Sequence, residues 1–358
     1  MSAKNNPVLN DLREQVLAAA AQAQPLHIQG GGSKAWYGRQ SSGQLLDTRA
    51  YRGILSYEPT ELVITACAGT PLREIEAVLA EQQQMLACEV PHFSEHATFG
   101  GMLAAGLAGP RRPYAGAVKD FVLGTALMDG RGQIAEFGGQ VMKNVAGYDV
   151  SRMLAGSLGT LGLILHASVK VLPRPVAETT LVFALSEADA LRKMNTWAGQ
   201  PLPISATCWY VGRLLVRLSG AQAAVDAARH SMGGEEISDA SNWWQALREQ
   251  TQDYFSQEEA HVLWRLSLPP TTPALPLTGK SLIEWGGAQR WLYSDESPER
   301  IRTLAREAGG HASIFRGGDR QAEVFAPLSA PLLRIHQHLK QAFDPAGIFN
   351  PGRMYKDI

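Results

Sequence analysis

The chain has 358 residues, of which 45% are hydrophobic and 19% are charged. This composition is typical of a soluble globular protein with a substantial core, and the length suffices for about two domains. Lys and Arg number 33 against 34 Asp and Glu, so the net charge is −1. A balance so close to zero gives no indication of a nucleic acid or an anionic membrane surface as partner.

The sequence predicts a cytoplasmic protein. Its N-terminus lacks the uninterrupted apolar stretch of a signal peptide, and residues from Asp11 onward predict an amphipathic helix. The most apolar region, 153–172, contains three glycines and ends in strand-like sequence, which argues against a membrane span. Cys67, Cys88 and Cys208 are far apart and odd in number, so we expect buried thiols and no disulfide framework or bound metal cluster.

The first half of the chain is rich in glycine and in short strand-like runs. Residues 61–69 predict a strand, followed by a helix whose N-cap and first residue are Thr70 and Pro71. Residues 120–139 predict two strands joined by a turn. A long strand within 159–175 ends at a Pro-Arg-Pro stop, which marks a candidate domain boundary.

After Pro175 the pattern changes to an α+β domain with an antiparallel sheet. Helices are predicted to begin at Ser186 and Ser297, each followed by a glycine stop. Strands are predicted at 180–185, 206–218, 262–268, 282–293 and 312–316, and a last helix at 329–343. We therefore predict domains at 1–175 (subdomains of about 1–90 and 91–175), 176–328 and 329–358.

Residues 26–38, LHIQGGGSKAWYG, place three consecutive glycines after an apolar run. Such a loop lets backbone N–H groups close around an anion, because no Cβ blocks the approach. Gly30, Gly32 and Ala35 satisfy a loosened Rossmann fingerprint, but the sequence that follows does not predict the helix that this motif needs. A dinucleotide bound in the Rossmann manner is therefore not favoured.

Two other nucleotide or catalytic motifs are only partly matched. Residues 274–281, ALPLTGKS, end as a phosphate-binding P-loop does, but Ala274 replaces the first glycine and Pro276 lies within the loop. Residues 155–159, AGSLG, resemble a serine nucleophile elbow without a supporting His and acid, so Ser157 is interpreted as a loop hydroxyl.

Four glycine-rich loops occur within about 130 residues, at 30–34, 98–109, 143–149 and 156–162. Any one of them would more often be a turn than a ligand site. Together, with small polar residues beside the glycines, they suit an extended ligand that needs close backbone approach along its whole length. FAD is such a ligand.

The order GGGS, ATFGGMLAAG, YAGAVKDFVLG, KNVAGYD and GSLGTLG resembles the FAD-binding domain of the p-cresol methylhydroxylase/vanillyl-alcohol oxidase type. The tail FDPAGIFNPGRM resembles that family's closing motif. The segments RRPYAGAVKDFVLG and KNVAGYDVSRMLAGSLGTLG are similar to the FAD-binding subunits of bacterial glycolate oxidases. The resemblance implies two α+β subdomains around FAD, an α+β cap domain over the flavin, and a tail that returns to the cofactor.

The resemblance also implies roles for individual residues. The pyrophosphate would be lined by Gly30, Gly31, Gly32, Ser33 and Lys34, and the ribityl chain by Pro91, Thr98, Gly100 and Gly101. Asn144 would lie at the isoalloxazine edge, and the adenine end would be held by Gly156, Ser157, Gly159, Gly162 and Ile164. The tail residues Asn350 and Arg353 would return to the flavin.

Two departures from the family pattern matter. Members that tether FAD covalently place a histidine in the first loop where this chain has Ser33, so we expect dissociable FAD. The His- and Gly-rich substrate and metal motif of the larger relatives is missing from the C-terminal half. His311, Arg290 and Arg316 are the candidates for substrate chemistry, each with the alternative of an ordinary polar residue at a strand end.

Three functions remain open on this sequence. The first is an FAD-dependent enzyme component that oxidises glycolate, a 2-hydroxy acid, to glyoxylate. The second is a non-catalytic or electron-relay subunit whose substrate chemistry lies in a larger homologous FAD subunit, with an iron–sulfur subunit completing the complex. The third is a stand-alone FAD-dependent reductase. We favour a glycolate oxidase component in a cytoplasmic hetero-oligomer, which partners could hold at the inner face of the membrane.

Overall fold

A computed structural model of the protein describes residues 6–139, 149–238, 240–256 and 262–358. The helices are α1 Pro7–Gln22, α2 Leu72–Glu81, α3 Phe99–Ala105, α4 Arg112–Ala115, α5 Val118–Phe121, α6 Val150–Met153, α7 Glu187–Ala198, α8 Gln222–Met232, α9 Ala240–Glu249, α10 Pro298–Glu307 and α11 Ala330–Phe343. The strands are β1 Leu26–Gln29, β2 Gln44–Asp47, β3 Ile54–Glu58, β4 Val63–Cys67, β5 Gln84–Met85, β6 Val122–Met128, β7 Ile134–Gly138, β8 Leu163–Lys170, β9 Leu172–Pro173, β10 Ala177–Ala184, β11 Ile204–Tyr210, β12 Arg213–Gly220, β13 Glu235–Glu236, β14 Leu263–Ser267, β15 Lys280–Glu284, β16 Gln289–Tyr293 and β17 His311–Arg316.

The part of the chain predicted as the N-terminal domain, described from residue 6 to 175 except for 140–148, contains an antiparallel five-stranded sheet in the order β3-β4-β8-β6-β7. Helices α2 and α3 pack on one face, and α1, the parallel pair β1-β2 and the C-terminal tail cover the other. Strands β4 and β8 are buried on both faces, which explains why their sequences are nearly continuous apolar runs. The sheet joins strands from either side of residue 90 and so crosses the predicted subdomain border.

Two local predictions in this part of the chain had different outcomes. Strands β6 and β7 confirm the predicted pair within 120–139. The predicted start of α2 is wrong, because its N-cap is Pro71 and makes no side-chain capping bond. The Thr70 hydroxyl instead accepts from Gly53 N at 2.9 Å and donates to Gly53 O at 3.2 Å, which ties the helix start to the loop before β3.

The part of the chain predicted as the second domain, 176–328, contains a second antiparallel sheet with helices, in agreement with the predicted α+β class. Its eight strands follow the order β13-β10-β12-β11-β15-β16-β14-β17. The predicted strand at 206–218 is two strands, because Val211 and Gly212 adopt positive φ values of 47° and 72° and reverse the chain. The predicted strand at 282–293 is likewise divided, by a 3-10 turn at Trp285–Gly287.

One face of the eight-stranded sheet packs against α7, α8 and α10. The starts of α7 and α10 are confirmed, since Ser186 Oγ accepts from Asp189 N at 3.2 Å and Ser297 Oγ accepts from Arg300 N at 3.3 Å. The other face packs, with α9, against residues of the N-terminal domain such as Tyr37, Ala105 and Leu107. The sheet therefore lies directly over the glycine-rich half of the chain.

In the described part of the chain, no helix is both long and apolar enough to cross a membrane. Over those same residues, His, Cys, Asp and Glu side chains form no group of three that could hold a metal ion. Cys67, Cys88 and Cys208 are free and buried, as predicted. Burial raises the pKa of Cys88 to about 12, so this thiol stays protonated and unreactive near neutral pH.

Candidate cofactor site

A cleft in the N-terminal domain begins at the glycine-rich loop and ends beside the first residues of β8. Its walls come from the loop after β1, from α3, from the turn before β8 and from the C-terminal tail, so segments far apart in sequence meet there. The lining residues are His27, Ile28, Gln29, Gly30, Gly31, Gly32, Ser33, Lys34, Ala35, Thr48, Ala68, Thr98, Gly100, Gly101, Ala104, Ala105, Leu158, Gly159, Gly162, Leu163, Ile164, Asn350 and Arg353.

The loop after β1 presents a run of free backbone donors. The five amide N–H groups from Gly30 to Lys34 donate to no acceptor among the described residues. The next amide along the loop, Ala35 N, donates a hydrogen bond to Gly32 O at 3.0 Å. Gly32 has a φ of +72°, a conformation that glycine adopts without strain. Because nearly all buried or half-buried amides in proteins are paired, such a run facing a cleft indicates an anionic ligand.

The charges of the cleft agree with an anion. Among the described residues that line it, His27, Lys34 and Arg353 are basic and none is a carboxylate. Burial lowers the pKa of Lys34 to about 8, with Glu249 acting in the opposite direction. Burial, and then the neighbouring Arg320, lower the pKa of Arg353 to about 10. A bound anion would relieve both effects, so the donor set fits a diphosphate group.

Close approach between loops explains some of the glycines and not others. A Cβ on Gly30 would lie 2.3 Å from Thr98 Oγ1, and a Cβ on Gly31 would lie 1.5 Å from His96 O. These two glycines are therefore required by packing, whether or not a ligand is bound. A Cβ on Gly101 would meet only Thr98 Oγ1, at 3.2 Å, and would otherwise point into open space. Gly101 is thus not explained by contacts within the protein.

Asn350 joins three segments of the cleft. Its Oδ1 accepts from Ile28 N at 2.8 Å, its Nδ2 donates to Leu158 O at 2.7 Å, and its own amide donates to Leu26 O at 3.0 Å. The tail is fixed just before it, where Asp344 accepts from Phe349 N at 2.7 Å and pairs with Lys340 at 2.8 Å. Asn350 therefore holds the first and third glycine-rich loops at a fixed separation.

Replacing Asn350 with alanine is expected to lower the FAD content of the purified protein about tenfold. The change leaves Ile28 N and Leu158 O without partners, at a cost of about 1–3 kcal/mol each, and lets the loops separate. Flavin absorbance per protein, with thermal unfolding of the same samples, measures the effect. Gln337→Ala, on the exposed side of α11, is the matched control. Full flavin content in Asn350→Ala would show that the bridge does not shape the site.

The structure brings most of the predicted cofactor residues together. The members of the predicted set that line the cleft are Gly30, Gly31, Gly32, Ser33, Lys34, Thr98, Gly100, Gly101, Gly159, Gly162, Ile164, Asn350 and Arg353. Pro91 instead lines a separate pocket between the domains. Gly156 packs against the end of α3, and Ser157 is buried beside Thr160. Asn144 lies outside the described residues.

The three candidates for substrate chemistry do not meet at the cleft. Arg290 is buried and donates to the backbone carbonyls of Gly287, Pro273 and Thr272, which places it in a structural role. His311 is exposed at the start of β17. Arg316 stacks on Trp36 with 4.5 Å from its guanidinium carbon to the ring centre and donates to Gln250. Of the three, only Arg316 contacts the loop that borders the cleft.

Several lining residues were not predicted. Ile28, Ala104 and Leu158 line both parts of the cleft, and Thr48 and Ala68 line the inner part. Leu158 lies inside the GSLG motif and has a positive φ of 51°, so its position between two glycines was the available signal. Ile28 and Ala104 belong to apolar stretches that carry no such signal.

Comparison with known proteins agrees with this site. A sequence family described as "FAD binding domain" matches residues 9–138. The chain is 53% identical over 347 residues to "Glycolate oxidase subunit GlcE" of Escherichia coli (strain K12), with 97% of each chain covered. It is 36% identical over 100 residues to "Glycolate oxidase subunit GlcD" of Bacillus subtilis (strain 168), covering 28% of this chain and 21% of that protein. A solved structure of alkyldihydroxyacetonephosphate synthase superposes with a TM-score of 0.66 at 16% identity, covering 96% of this chain and 74% of that chain.

The fold and the cleft, with these matches, define an FAD-binding flavoprotein of the oxidoreductase class, and FAD is its cofactor. The chain belongs to the family of the Escherichia coli glycolate oxidase subunit GlcE. The predicted resemblance is thereby confirmed. The synthase, at its low identity, shows a shared fold and confirms the predicted α+β architecture.

Proposed function

We propose that the protein is the FAD-binding subunit of an oligomeric glycolate oxidase, in which glycolate is oxidised to glyoxylate and the electrons pass to a partner or acceptor. The observation that carries the proposal is the run of amides from Gly30 to Lys34, which have no acceptor among the described residues and lie in a cleft with three basic side chains. The 53% identity to a glycolate oxidase subunit over nearly the whole chain supports the substrate class.

In this proposal the free amides of the first loop, with Lys34, hold the pyrophosphate. Gly101 and Thr98 border the ribityl chain, Gly159 and the residues after it hold the adenine end, and Asn144 keeps its predicted place at the flavin edge. Bound FAD supplies a two-electron acceptor for the hydride of a 2-hydroxy acid. Arg353, already directed at the loop through Ala35 O at 3.0 Å, contributes positive charge that favours a reduced, anionic ring.

The partners proposed for this subunit are a larger homologous FAD subunit and an iron–sulfur subunit. The relative from Escherichia coli is itself named a subunit, which supports a complex. The three cysteines of this chain are dispersed and buried, so an iron–sulfur relay would have to come from another chain. We propose a cytoplasmic complex that its partners hold at the inner face of the membrane.

A second role has its own support. Neither His311 nor Arg290 lines the cleft, so the residues predicted for substrate chemistry do not form a catalytic group beside the cofactor. This arrangement favours an electron-relay subunit whose glycolate chemistry takes place on the larger homologous chain. The two roles differ in whether glycolate reduces the flavin of this chain alone.

The test is an anaerobic absorption spectrum of the FAD-loaded protein, alone and then within the co-expressed complex, before and after glycolate. Bleaching of the flavin in the isolated protein would establish a complete substrate site in this chain. Bleaching in the complex alone would support the relay role. A protein that binds no flavin in either state, or that is reduced by NADPH and not by glycolate in both, would overturn the proposal.

Replacing Gly101 with alanine is expected to reduce FAD content at least tenfold without lowering the thermal unfolding temperature of the FAD-free protein. The new methyl group meets a single protein atom, and alanine favours the helix α3 by up to about 1 kcal/mol over glycine, so only a ligand close to the backbone would be displaced. Flavin absorbance and thermal unfolding give the two readouts. Gly199→Ala, at the end of α7, serves as control. Normal FAD content in Gly101→Ala would place the cofactor elsewhere.

The FAD is expected to dissociate completely when the protein is denatured by acid, because Ser33 stands where covalent relatives carry a histidine. A serine hydroxyl is a far weaker nucleophile than an imidazole toward the flavin ring. Precipitation with trichloroacetic acid should leave the yellow colour in the supernatant. Flavin fluorescence that stays in the washed pellet would show a covalent link.

A further inference from the structure

Two segments that border the first glycine-rich loop are held by side chains of the second domain. Segment 35–39 directly follows the loop in sequence. Segment 92–97 packs against the loop, since a Cβ on Gly31 would lie 1.5 Å from His96 O. Both segments lie outside the helices and strands, so their positions depend on the contacts that they make with other parts of the chain. Those contacts therefore also fix the shape of the loop between them.

Glu249, at the end of α9, anchors segment 92–97. Its carboxylate is largely buried, and its Oε2 accepts from His92 N at 3.0 Å and from Phe93 N at 2.8 Å. The carbonyl of His92 accepts in turn from Lys34 Nζ at 3.2 Å. The peptide group between His92 and Phe93 thus donates to Glu249 and accepts from the last residue of the loop. Hydrogen bonds from backbone N–H groups to a carboxylate are stronger than those between neutral groups.

Arg320, in the turn after β17, anchors segment 35–39. Its Nε donates to Gly38 O at 3.1 Å. Its Nη2 donates to Ala35 O at 2.9 Å and to Arg39 O at 3.3 Å. Arg39 reaches back to the same turn, because its Nη1 donates to Ala322 O. One planar guanidinium therefore ties three backbone carbonyls of the segment to the second domain, an arrangement that the single ammonium group of a lysine does not reproduce.

Arg316, on β17, links the two segments to each other. Its guanidinium carbon is 4.5 Å from the centre of the Trp36 ring and 5.8 Å from that of the Phe93 ring. The two rings also meet edge to face, with 5.1 Å between their centres. The anchors of the second domain thus hold both sides of one aromatic and cationic cluster, directly beside the loop.

The charges of both anchors reach the lining of the cleft. Burial is the main cause that lowers the pKa of Arg353 and of His27, and the charge of Arg320 adds to it in both cases. Burial also lowers the pKa of Lys34, and the charge of Glu249 opposes that effect. The two anchors therefore lie close enough to influence the residues that would meet an anion.

We propose that Glu249 and Arg320 are positioning residues for FAD, through which the second domain holds the first loop in its binding conformation. The inference rests on the proposed placement of the pyrophosphate at this loop. Neither side chain is among the described residues that line the cleft, so neither contacts the cofactor directly. Each keeps the free amides of the loop aimed in one direction, which removes the cost of ordering them when FAD binds. The second domain thereby serves the diphosphate end of FAD, in addition to its predicted place over the flavin.

The test follows the release of FAD from the FAD-loaded, full-length protein after dilution, by the rise in flavin fluorescence. Thermal unfolding of the FAD-free samples is recorded beside it. Glu249→Ala and Arg320→Ala should each accelerate release about tenfold or more, since each loses several hydrogen bonds to the backbone of the segments. The matched controls are Glu307→Ala and Arg306→Ala, exposed on α10 of the same domain, which should release FAD at the wild-type rate.

Conservative variants separate positioning from a general loss of stability. Glu249→Gln keeps an oxygen that accepts from the two amides, so its release rate should stay within about threefold of the wild type. Arg320→Lys keeps the charge without the planar fork, so it should recover only part of the loss. A purely structural role would instead make the release rates follow the unfolding temperatures of the FAD-free variants, whatever their hydrogen-bonding groups.

Release at the wild-type rate from either alanine variant would overturn the role of that residue, and from both would overturn the inference. If an alanine variant does not fold, Arg320→Lys decides, because wild-type release from it would also contradict the inference. These failures differ from those of the proposed function. Loss of FAD in Gly101→Ala with wild-type release in both anchor variants refutes the anchors and leaves the cofactor site in place. Flavin that glycolate reduces neither in this chain nor in the complex refutes the proposed function and leaves the anchors in place.

Discussion

Replacing Gly31 with alanine is expected to abolish FAD binding and to destabilise the protein by about 3 kcal/mol or more. The new Cβ would lie 1.5 Å from His96 O and 2.4 Å from the carbonyl carbon of the same residue. Both atoms belong to backbone, so no side-chain rotation relieves the overlap. The loop from Gly30 to Lys34 must move, and the free amides that it aligns move with it.

Thermal and denaturant unfolding, with flavin absorbance of the purified protein, measure this effect. Gly199→Ala is the matched control, because its Cβ would meet one atom, Thr196 O, at an ordinary 3.7 Å. The control should keep its flavin and its stability within about 0.5 kcal/mol of the wild type. A Gly31→Ala protein that unfolds and binds FAD like the wild type would show that the two loops are not in contact as described.

Replacing Glu89 with alanine is expected to lower the free energy of unfolding by about 3–5 kcal/mol. Glu89 joins the two domains, because its Oε1 lies 2.8 Å from Arg217 Nη2 in the second domain and 3.3 Å from Arg111 Nε in its own. The Arg217 side chain is only 4% exposed, and Ser205 and Glu178 are its remaining polar neighbours. Removing the acid leaves this buried cation without its closest anion.

Asp226→Ala provides a comparison on an exposed ion pair. Asp226 and Arg229 are each about half exposed and 3.9 Å apart, so their loss should cost at most about 1 kcal/mol. Glu89→Gln, which keeps the shape of the side chain without its charge, should lower the free energy of unfolding by an amount between those of Glu89→Ala and Asp226→Ala. If Glu89→Ala is no more destabilising than Asp226→Ala, the inter-domain network contributes little to stability.

The ion pairs of Glu89 with Arg217 and Arg111 should make the stability of the protein depend on pH. Burial alone would raise the pKa of Glu89, but Arg217 and Arg111 outweigh it and hold the pKa below the ordinary value of 4.5. A lowered folded-state pKa means that the stabilisation is complete above the ordinary value and is lost as pH falls through the lowered one. The stability difference between wild type and Glu89→Gln should therefore narrow below about pH 4.5. A difference that stays constant from pH 7 to pH 3 would contradict this account.

Local signals in the sequence predicted what short segments do. Ser186 and Ser297 each begin a helix because their partners, the amides of Asp189 and Arg300, lie three residues away. Thr70 looks the same in sequence, yet its hydroxyl is used by Gly53, which lies 17 residues earlier. A capping residue can be recognised only when no distant partner competes for it.

The sequence by itself determined the class of the protein and its cofactor, because glycine spacing in consecutive loops is a local property. The cofactor residues that it predicts remain a prediction, and most of them line one cleft. The tertiary structure alone decided which groups meet across long separations. Asn350 bridges Ile28 and Leu158, 322 and 192 residues away, and Arg320, in the turn after the edge strand β17, anchors Ala35, 285 residues away. The place of that turn follows from strand order, which depends on the packing of whole faces and which no short stretch of sequence records.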